Sequence, residues 1–259
     1  MMFLMCFNVF CDVIKVDKVA GDYNRGCKII CEDLIVSFIS SEYHNVFSIT
    51  KQGETVLWWG RLDYTKIPER RFSSWISHFK DVIDSEKGGK TAIIEHKFYK
   101  DEAVLLSVIE KVTIVPPDNE NRTRLIIDVL AEPETKLTLA ETYFSFWMIR
   151  SVYAGLAFSV KYPSGDKQEY IFQITKGDKR FVAPEYSLKN QYKRLEEVEF
   201  ETLTGQKFII RIKEPLDKGW VIVGDDFSHS YTLTFELSGK KELNPGDKFN
   251  YILEIAFSK

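Results

Sequence analysis

Alternation between apolar and polar residues is the dominant pattern along this chain. Runs in which every second residue is apolar, bounded by turn-forming residues, recur from Leu34 onward. A period of two is typical of β-strands that bury one face and expose the other. In the stretch YTLTFEL, from Tyr231 to Leu237, large apolar residues alternate with Thr, Thr and Glu. The pattern predicts many short strands.

Turn-forming residues connect several of these runs into hairpins. The runs LLSVIEKVTIV and TRLIIDVLA are separated by PPDNENR, a connection rich in Pro, Asn and Asp. Two more hairpins are predicted to turn at Pro163–Asp166 and at Thr204-Gly205. The stretch LNPGDKFNYILEIAFSK predicts a Pro-Gly-Asp turn and a strand with one face in a core. The large apolar residues on that face are Phe249, Tyr251, Leu253, Ile255 and Phe257.

Two segments interrupt the alternation. Between Pro68 and Glu86 the apolar residues follow a helical spacing, and Gly88-Gly89 would end a helix there. These apolar residues are Phe72, Trp75, Ile76, Phe79, Val82 and Ile83. A second short helix is predicted around Ser187–Glu197. No repeat, linker or break in composition divides the chain. We therefore predict an all-β, mainly antiparallel fold: one large β-sandwich domain over residues 1–259, with one or two short helices.

Composition and charge exclude few function classes. The chain has 259 residues, of which 44% are hydrophobic, 28% charged and 14% aromatic. The high aromatic content favours sheet. A formal net charge of −3 gives no overall attraction for nucleic acid or for an anionic membrane. We expect neither to be a partner. No phosphate-binding loop, dinucleotide fingerprint, zinc-protease motif or nucleophile elbow is present.

The four cysteines all lie near the N-terminus, at Cys6, Cys11, Cys27 and Cys31. Their intervals differ from those of the common zinc ribbons and fingers, and their neighbours are apolar. We predict reduced, buried thiols, no metal site and no cofactor, with a zinc site as the alternative. The opening MMFLMCFNVF lacks the charged start and the cleavage site of a signal peptide. It is predicted to be a first strand in a cytoplasmic protein, with secretion as the alternative.

Three stretches resemble one family. The ending LNPGDKFNYILEIAF resembles the closing turn and strand of the galactose mutarotase-like β-supersandwich proteins. EDLIVSFISSEYHNVFSITKQGETVLWWG is similar to the opening hairpins of that family. LTLAETYFSF is similar to the mid-chain Asn-His-x-Tyr-Phe-Asn-Leu stretch of the sugar epimerases. The resemblance implies a supersandwich fold, a carbohydrate partner and, if the protein is an enzyme, an isomerase or lyase that acts on sugars.

The sequence departs from this family where catalysis resides. The mid-chain His of the epimerases is replaced here by Glu141, and their second His has no counterpart. Gly60-Arg61 matches the family's sugar-contacting Gly-Arg motif, and Asp225 and Asp226 are the nearest candidates for its basic Glu. Ring opening requires one group to accept a hydroxyl proton and another to protonate the ring oxygen. The missing His therefore argues against simple mutarotation.

Titratable side chains supply the candidate catalytic residues. His is the side chain best suited to proton transfer near neutral pH. His96 alternates with Ile94 in IIEHKFY, whereas His44 and His78 fit a turn and a solvated surface. Carboxylates, among them Glu95, could form an acid–base pair. The predicted catalytic residues are His96, Glu141 and Asp226.

Aromatic and polar side chains supply the candidate ligand-binding residues. Trp58 and Trp59 are adjacent, so on a strand they point to opposite faces and one is a candidate for an exposed platform. Core packing is favoured for Trp147. The predicted ligand-binding residues are Trp59, Arg61, Tyr143, Trp220, Asp225 and His229. Two functions remain open: a carbohydrate-recognising protein, related to sugar epimerases or lyases, and a non-catalytic structural or protein-interaction domain.

Overall fold

Antiparallel strands account for most of the residues described by the structure, a computed structural model. It describes residues 14–19, 26–39, 46–67, 74–117, 119, 122–172, 196–213, 219–224, 230–238 and 241–258. Within these ranges the strands form two nine-stranded sheets with a hydrophobic core between them. The predicted all-β sandwich is confirmed.

The first sheet is built mainly from the N-terminal strands. Its members are β1 (Ile14–Val19), β2 (Gly26–Cys31), β3 (Leu34–Ile39), β4 (Val46–Lys51), β5 (Glu54–Ile67), β10 (Leu137–Ile149), β15 (Gly219–Gly224), β16 (Ser230–Ser238) and β17 (Lys241–Leu243). Their order is β1-β2-β3-β4-β5-β10-β16-β15, and β17 also pairs with β10.

The second sheet contains the remaining strands. They are β6 (Ser74–Asp84), β7 (Lys90–Lys100), β8 (Ala103–Val115), β9 (Thr123–Pro133), β11 (Ala157–Lys161), β12 (Lys167–Ile171), β13 (Glu197–Glu201), β14 (Lys207–Ile212) and β18 (Phe249–Phe257). Their order is β12-β11-β13-β14-β18-β9-β8-β7-β6. The described helical residues are the α-helix α1 (Arg150–Tyr153) and a 3₁₀ turn at Glu86–Gly88. No helix in the described ranges is long and apolar enough to cross a membrane.

The predicted hairpins are confirmed. β8 pairs with β9, β11 with β12 and β13 with β14, each in antiparallel register. Gly165 and Gly205 occupy the last two of these turns with φ of 89° and 82°, a left-handed conformation that favours glycine. On β18 all five large apolar residues of the predicted face are buried. Full burial of such a side chain contributes about 1.5–3 kcal/mol.

The helix predicted over Pro68–Glu86 is wrong for the part that the structure describes. Residues 74–84 form strand β6, which pairs with β7. Phe79 and Val82 are three residues apart, yet both pack against the core. A register shift between Phe79 and Asp81 inserts an extra residue, which gives the strand a helix-like spacing. The helix around Ser187–Glu197 and the strand at residues 1–10 lie outside the described residues, except that Glu197 begins β13.

Side chains of two turns join the sheets at one end. Gln206 Nε2 donates a hydrogen bond to Gln52 Oε1, and Thr204 Oγ1 donates one to Glu54 Oε2. Gln52 lies in the β4–β5 turn of the first sheet and Glu54 begins β5, whereas Thr204 and Gln206 lie in the β13–β14 turn of the second sheet. These contacts fix the relative position of the two hairpins.

Cys27 and Cys31 on β2 are free thiols with no exposed surface. Burial raises the pKa of the Cys31 thiol from 9.0 to about 11. In the described ranges no three His, Cys, Asp or Glu side chains are placed to hold a metal ion. Cys6 and Cys11 lie outside those ranges.

Cys31 is therefore expected to resist alkylation. A pKa of about 11 instead of 9.0 lowers the thiolate fraction at pH 8 by about 100-fold, and the thiolate is the nucleophile. Mass spectrometry of the Cys31 peptide after iodoacetamide treatment should show at least this reduction in rate relative to protein unfolded in urea. Equal rates in the two states would contradict the burial of this thiol.

Candidate functional site

Strand β5 departs twice from regular alternation. Against β4, Thr50 pairs with Thr55 and the next residue, Ile49, pairs with Leu57, so Val56 is an extra residue. Val56 and Leu57 are consequently both buried, although they are adjacent. Such β-bulges redirect the side chains that follow and are frequent beside functional sites.

The first bulge is followed by an exposed indole. The side chain of Trp58 is 40% exposed and meets Trp147 of β10 in a T-shaped arrangement, with ring centroids 5.7 Å apart. Trp147 alternates with Phe146 and Met148, which are fully buried. The tryptophan pair therefore lies on the side of the first sheet that faces away from the core. We call this surface, at Trp58, Trp147 and Ser145, the tryptophan face.

The second irregularity brings Arg61 to the same face. Trp58 pairs with Trp147 and Arg61 pairs with Ser145, so three residues of β5 span two residues of β10. Without this bulge, positions 58 and 61 would fall on opposite faces. Tyr143 pairs with Asp63 on β5 and with Glu236 on β16. Strand positions two apart share a face.

Three of the predicted site residues thus occupy positions on one face. Tyr143 lies two residues before Ser145, and Glu141 lies two residues before Tyr143. Together with Arg61, these positions lie along the strands that carry the exposed tryptophan. Trp147, predicted to pack in the core, instead lies half-buried on this face.

The position of Trp220 does not belong to the tryptophan face. Trp220 pairs with Phe235, and Phe235 pairs with the fully buried Phe144, so the Trp220 position belongs to the opposite, core side. The backbone of Trp59 lies in the second bulge, and the exposed indole that the structure describes is that of Trp58. Asp225, Asp226 and His229 lie outside the described residues.

His96 lies in the other sheet and points into the core. Its Nδ1 is 3.0 Å from Ser77 Oγ, and its Nε2 is 2.9 Å from Glu110 Oε2. The three side chains come from the adjacent strands β6, β7 and β8, and none is more than 3% exposed. Glu110 Oε1 is buried and has no hydrogen-bond partner in the structure.

The Ser77–His96–Glu110 cluster has the residue types of a nucleophile, a base and an orienting acid. Its burial, however, leaves no surface on which a substrate could meet Ser77. The predicted trio of His96, Glu141 and Asp226 is not assembled, because His96 and Glu141 belong to different sheets. Sequence reasoning missed Glu110, although a carboxylate in phase with Val108 and Val112 is the signal that could have revealed it.

Two further charged groups lie on the outer side of the second sheet. Glu95 is 3.0 Å from Lys80, whose hydrogen bond lowers the pKa of the carboxyl. It lines a cavity of about 240 Å³ with, among others, Glu132 and Glu134. On the same side Glu254 is only 3% exposed and lies among cationic groups: Arg211 Nη1 at 3.3 Å, Lys213 Nζ at 3.2 Å and Arg124 Nη1 at 3.9 Å.

Comparison with known proteins locates the chain by fold. No protein-family model matches the sequence, and no curated protein is significantly similar to it. The Slr1438 protein from Synechocystis sp. PCC 6803 matches over 93% of this chain and 99% of its own, at 10% identity and a TM-score of 0.57. A galactose mutarotase-related enzyme from Lactobacillus acidophilus matches over 91% of this chain and 97% of its own, at 9% identity and a TM-score of 0.40.

The chain shares its β-sandwich fold with the Slr1438 protein. The similarity extends to the heparan sulfate lyase HepC from Pedobacter heparinus, at 7% identity and a TM-score of 0.50. That match covers 94% of this chain and 36% of the lyase, so the shared sandwich spans about a third of that larger protein. At these identities the likeness is one of fold alone.

Proposed function

We propose that the tryptophan face binds carbohydrate. The observation that carries the proposal is the exposed indole of Trp58, held against Trp147 on the outer side of the first sheet. The apolar C–H face of a sugar ring packs on such an aromatic surface, while its hydroxyl groups require donors and acceptors nearby. The positions of Arg61, Tyr143 and Glu141 supply both.

The structural neighbours support the same ligand class. One is described as a heparan sulfate lyase and another as a galactose mutarotase-related enzyme. In this chain the positions of Arg61, Tyr143 and Glu141 lie on the tryptophan face, and the same residues were selected by the sequence resemblance to the galactose mutarotase-like proteins. The agreement between the resemblance and the strand register supports a sugar site on β5 and β10.

We further propose that the protein acts on the bound sugar as an epimerase or a lyase. Glu141 occupies the position that the resemblance assigns to an epimerase His, and a carboxylate can accept the proton of a sugar hydroxyl. Tyr143 would then be the group that donates a proton. We propose this chemistry for the tryptophan face rather than for His96, which lies buried in the other sheet.

The first test is binding by the wild type. A panel of mono- and oligosaccharides at millimolar concentration should contain at least one member that raises the melting temperature, since a ligand of the folded state stabilises it. That sugar is then tested in epimerase and lyase assays. If no sugar changes the melting temperature, the proposal fails and a protein-interaction domain is favoured.

Substitution of Trp58 by alanine is expected to weaken sugar binding at least tenfold, as measured by calorimetry. Tenfold corresponds to about 1.4 kcal/mol, the order expected from loss of one aromatic contact. The matched control is Ile171→Ala, which truncates an apolar side chain that is 61% exposed on β12 of the second sheet. Equal affinities for the two variants would place the sugar elsewhere.

A further inference from the structure

The Val56 carbonyl has a specific partner. Val56 is the extra residue of the first β5 bulge, and an extra residue lacks a regular pairing partner on the neighbouring strand. Its side chain has no exposed surface, so its carbonyl requires a hydrogen bond from within the protein. The hydroxyl of Tyr153, also fully buried, donates that bond.

Tyr153 is fixed from the other sheet. It is the last residue of α1, which directly follows β10. Its ring packs against three phenylalanines of the second sheet and its edge: Phe172 at 5.4 Å, Phe208 at 6.4 Å and Phe200 at 6.5 Å between centroids. The hydroxyl therefore reaches β5 from a rigid aromatic cluster, although Tyr153 and Val56 are 97 residues apart in sequence.

The bulge at Val56 decides whether Trp58 reaches the tryptophan face. Side chains on a strand alternate with a period of two, so a slip of one residue exchanges the faces of all that follow. With Val56 as the extra residue, Leu57 pairs with Ile49, and Trp58 is exposed and pairs with Trp147. If Val56 itself paired with Ile49, each later residue would move one place along, and Leu57 would replace Trp58 opposite Trp147.

We infer that the Tyr153 hydroxyl is a positioning group for the proposed sugar site: by holding the Val56 carbonyl in the bulge, it keeps Trp58, rather than Leu57, opposite Trp147. The consequence for sugar binding rests on the proposed function. The effect on the tryptophan pair does not, because that pair is present without a ligand.

The test uses far-ultraviolet circular dichroism of the whole chain, in which two indoles in contact produce a paired positive and negative band. The difference between wild type and Trp58→Phe defines this signal. Tyr153→Phe keeps the ring in the aromatic cluster and removes only the hydroxyl. The control is Tyr162→Phe, which removes a hydroxyl that contacts Tyr170 3.2 Å away on the β11–β12 hairpin.

Tyr153→Phe is expected to reduce the paired band by at least half and to weaken sugar binding at least fivefold, whereas Tyr162→Phe leaves both unchanged. Deletion of Val56 removes the residue that the bulge accommodates and leaves Leu57 opposite Ile49, so combining it with Tyr153→Phe should restore the paired band. A full paired band in Tyr153→Phe would overturn the inference, whatever its melting temperature, and so would a reduced band that the deletion does not restore. A wild type that binds no sugar but loses the band in Tyr153→Phe would refute the proposed function and support the positioning role.

Discussion

Replacing His96 by leucine is expected to lower the free energy of unfolding by about 3 kcal/mol, because Glu110 then stays buried without its hydrogen-bond partner. Glu110 is only 2% exposed, and in the variant it loses its hydrogen bond to His96. One of the Glu110 carboxylate oxygens already lacks a partner in the structure. Urea denaturation of wild type and variant measures the difference.

Two companion variants separate the possible causes. Ser77→Ala removes only the hydrogen bond to His96 Nδ1 and should cost about 1 kcal/mol. The double replacement of His96 and Glu110 by leucine should recover most of the lost stability, because no buried polar side chain then remains without its partner. If the double variant is no more stable than His96→Leu, cavity or packing effects rather than the stranded carboxylate determine the loss.

Replacing Arg211 by methionine is expected to cost about 2–3 kcal/mol. Arg211 Nε donates to Glu197 Oε2 at 2.7 Å and its Nη1 donates to Glu254 Oε1 at 3.3 Å. Those contacts raise the pKa of the guanidinium, with the Glu197 hydrogen bond as the main cause. The expected cost lies below that of a fully buried pair because the Arg211 side chain is 30% exposed and Lys213 still faces Glu254.

The control for Arg211 is an exposed ion pair of the same sheet. Lys207 lies 3.3 Å from Glu201, and the two side chains are 52% and 48% exposed. Lys207→Met should change the free energy of unfolding by no more than about 0.5 kcal/mol, as is common for surface pairs. Stability is measured by guanidinium chloride and by thermal denaturation. If Arg211→Met and Lys207→Met lose equal free energy of unfolding, the burial of Glu254 does not contribute to stability.

Alternation and turn residues were sufficient to predict the regular parts of the fold. β18 and the hairpins on either side of it in the sheet pair without a register shift, so the large apolar residues at alternate positions identified the core face. β6 was predicted as a helix because one bulge changes the phase of its apolar residues. A single sequence contains no signal for such an insertion when the residues that stabilise it lie far along the chain.

The same limit applies to the candidate site. The resemblance selected Arg61, Tyr143 and Glu141, and the register of β5 and β10 places their positions on one face. Trp59 was chosen over Trp58 because simple alternation leaves the two equivalent. The exposure of Trp58 depends on the bulge at Val56, whose carbonyl is held by Tyr153 from the opposite sheet. His96 was misjudged because its partners Ser77 and Glu110 come from two other strands.

The position of β18 affects how the protein forms during synthesis. β18 follows every other described strand in the chain, yet it lies between β9 and β14, in the interior of the second sheet. Until residues 249–257 leave the ribosome, that sheet consists of two separate halves whose inner edges have no partner. The pairing of Thr123 with Phe257 joins opposite halves of the chain, which is the slow kind of contact in folding. The nascent protein thus presents two unpaired strand edges until β18 has been synthesised, and chaperones that cover strand edges would act on it during this interval.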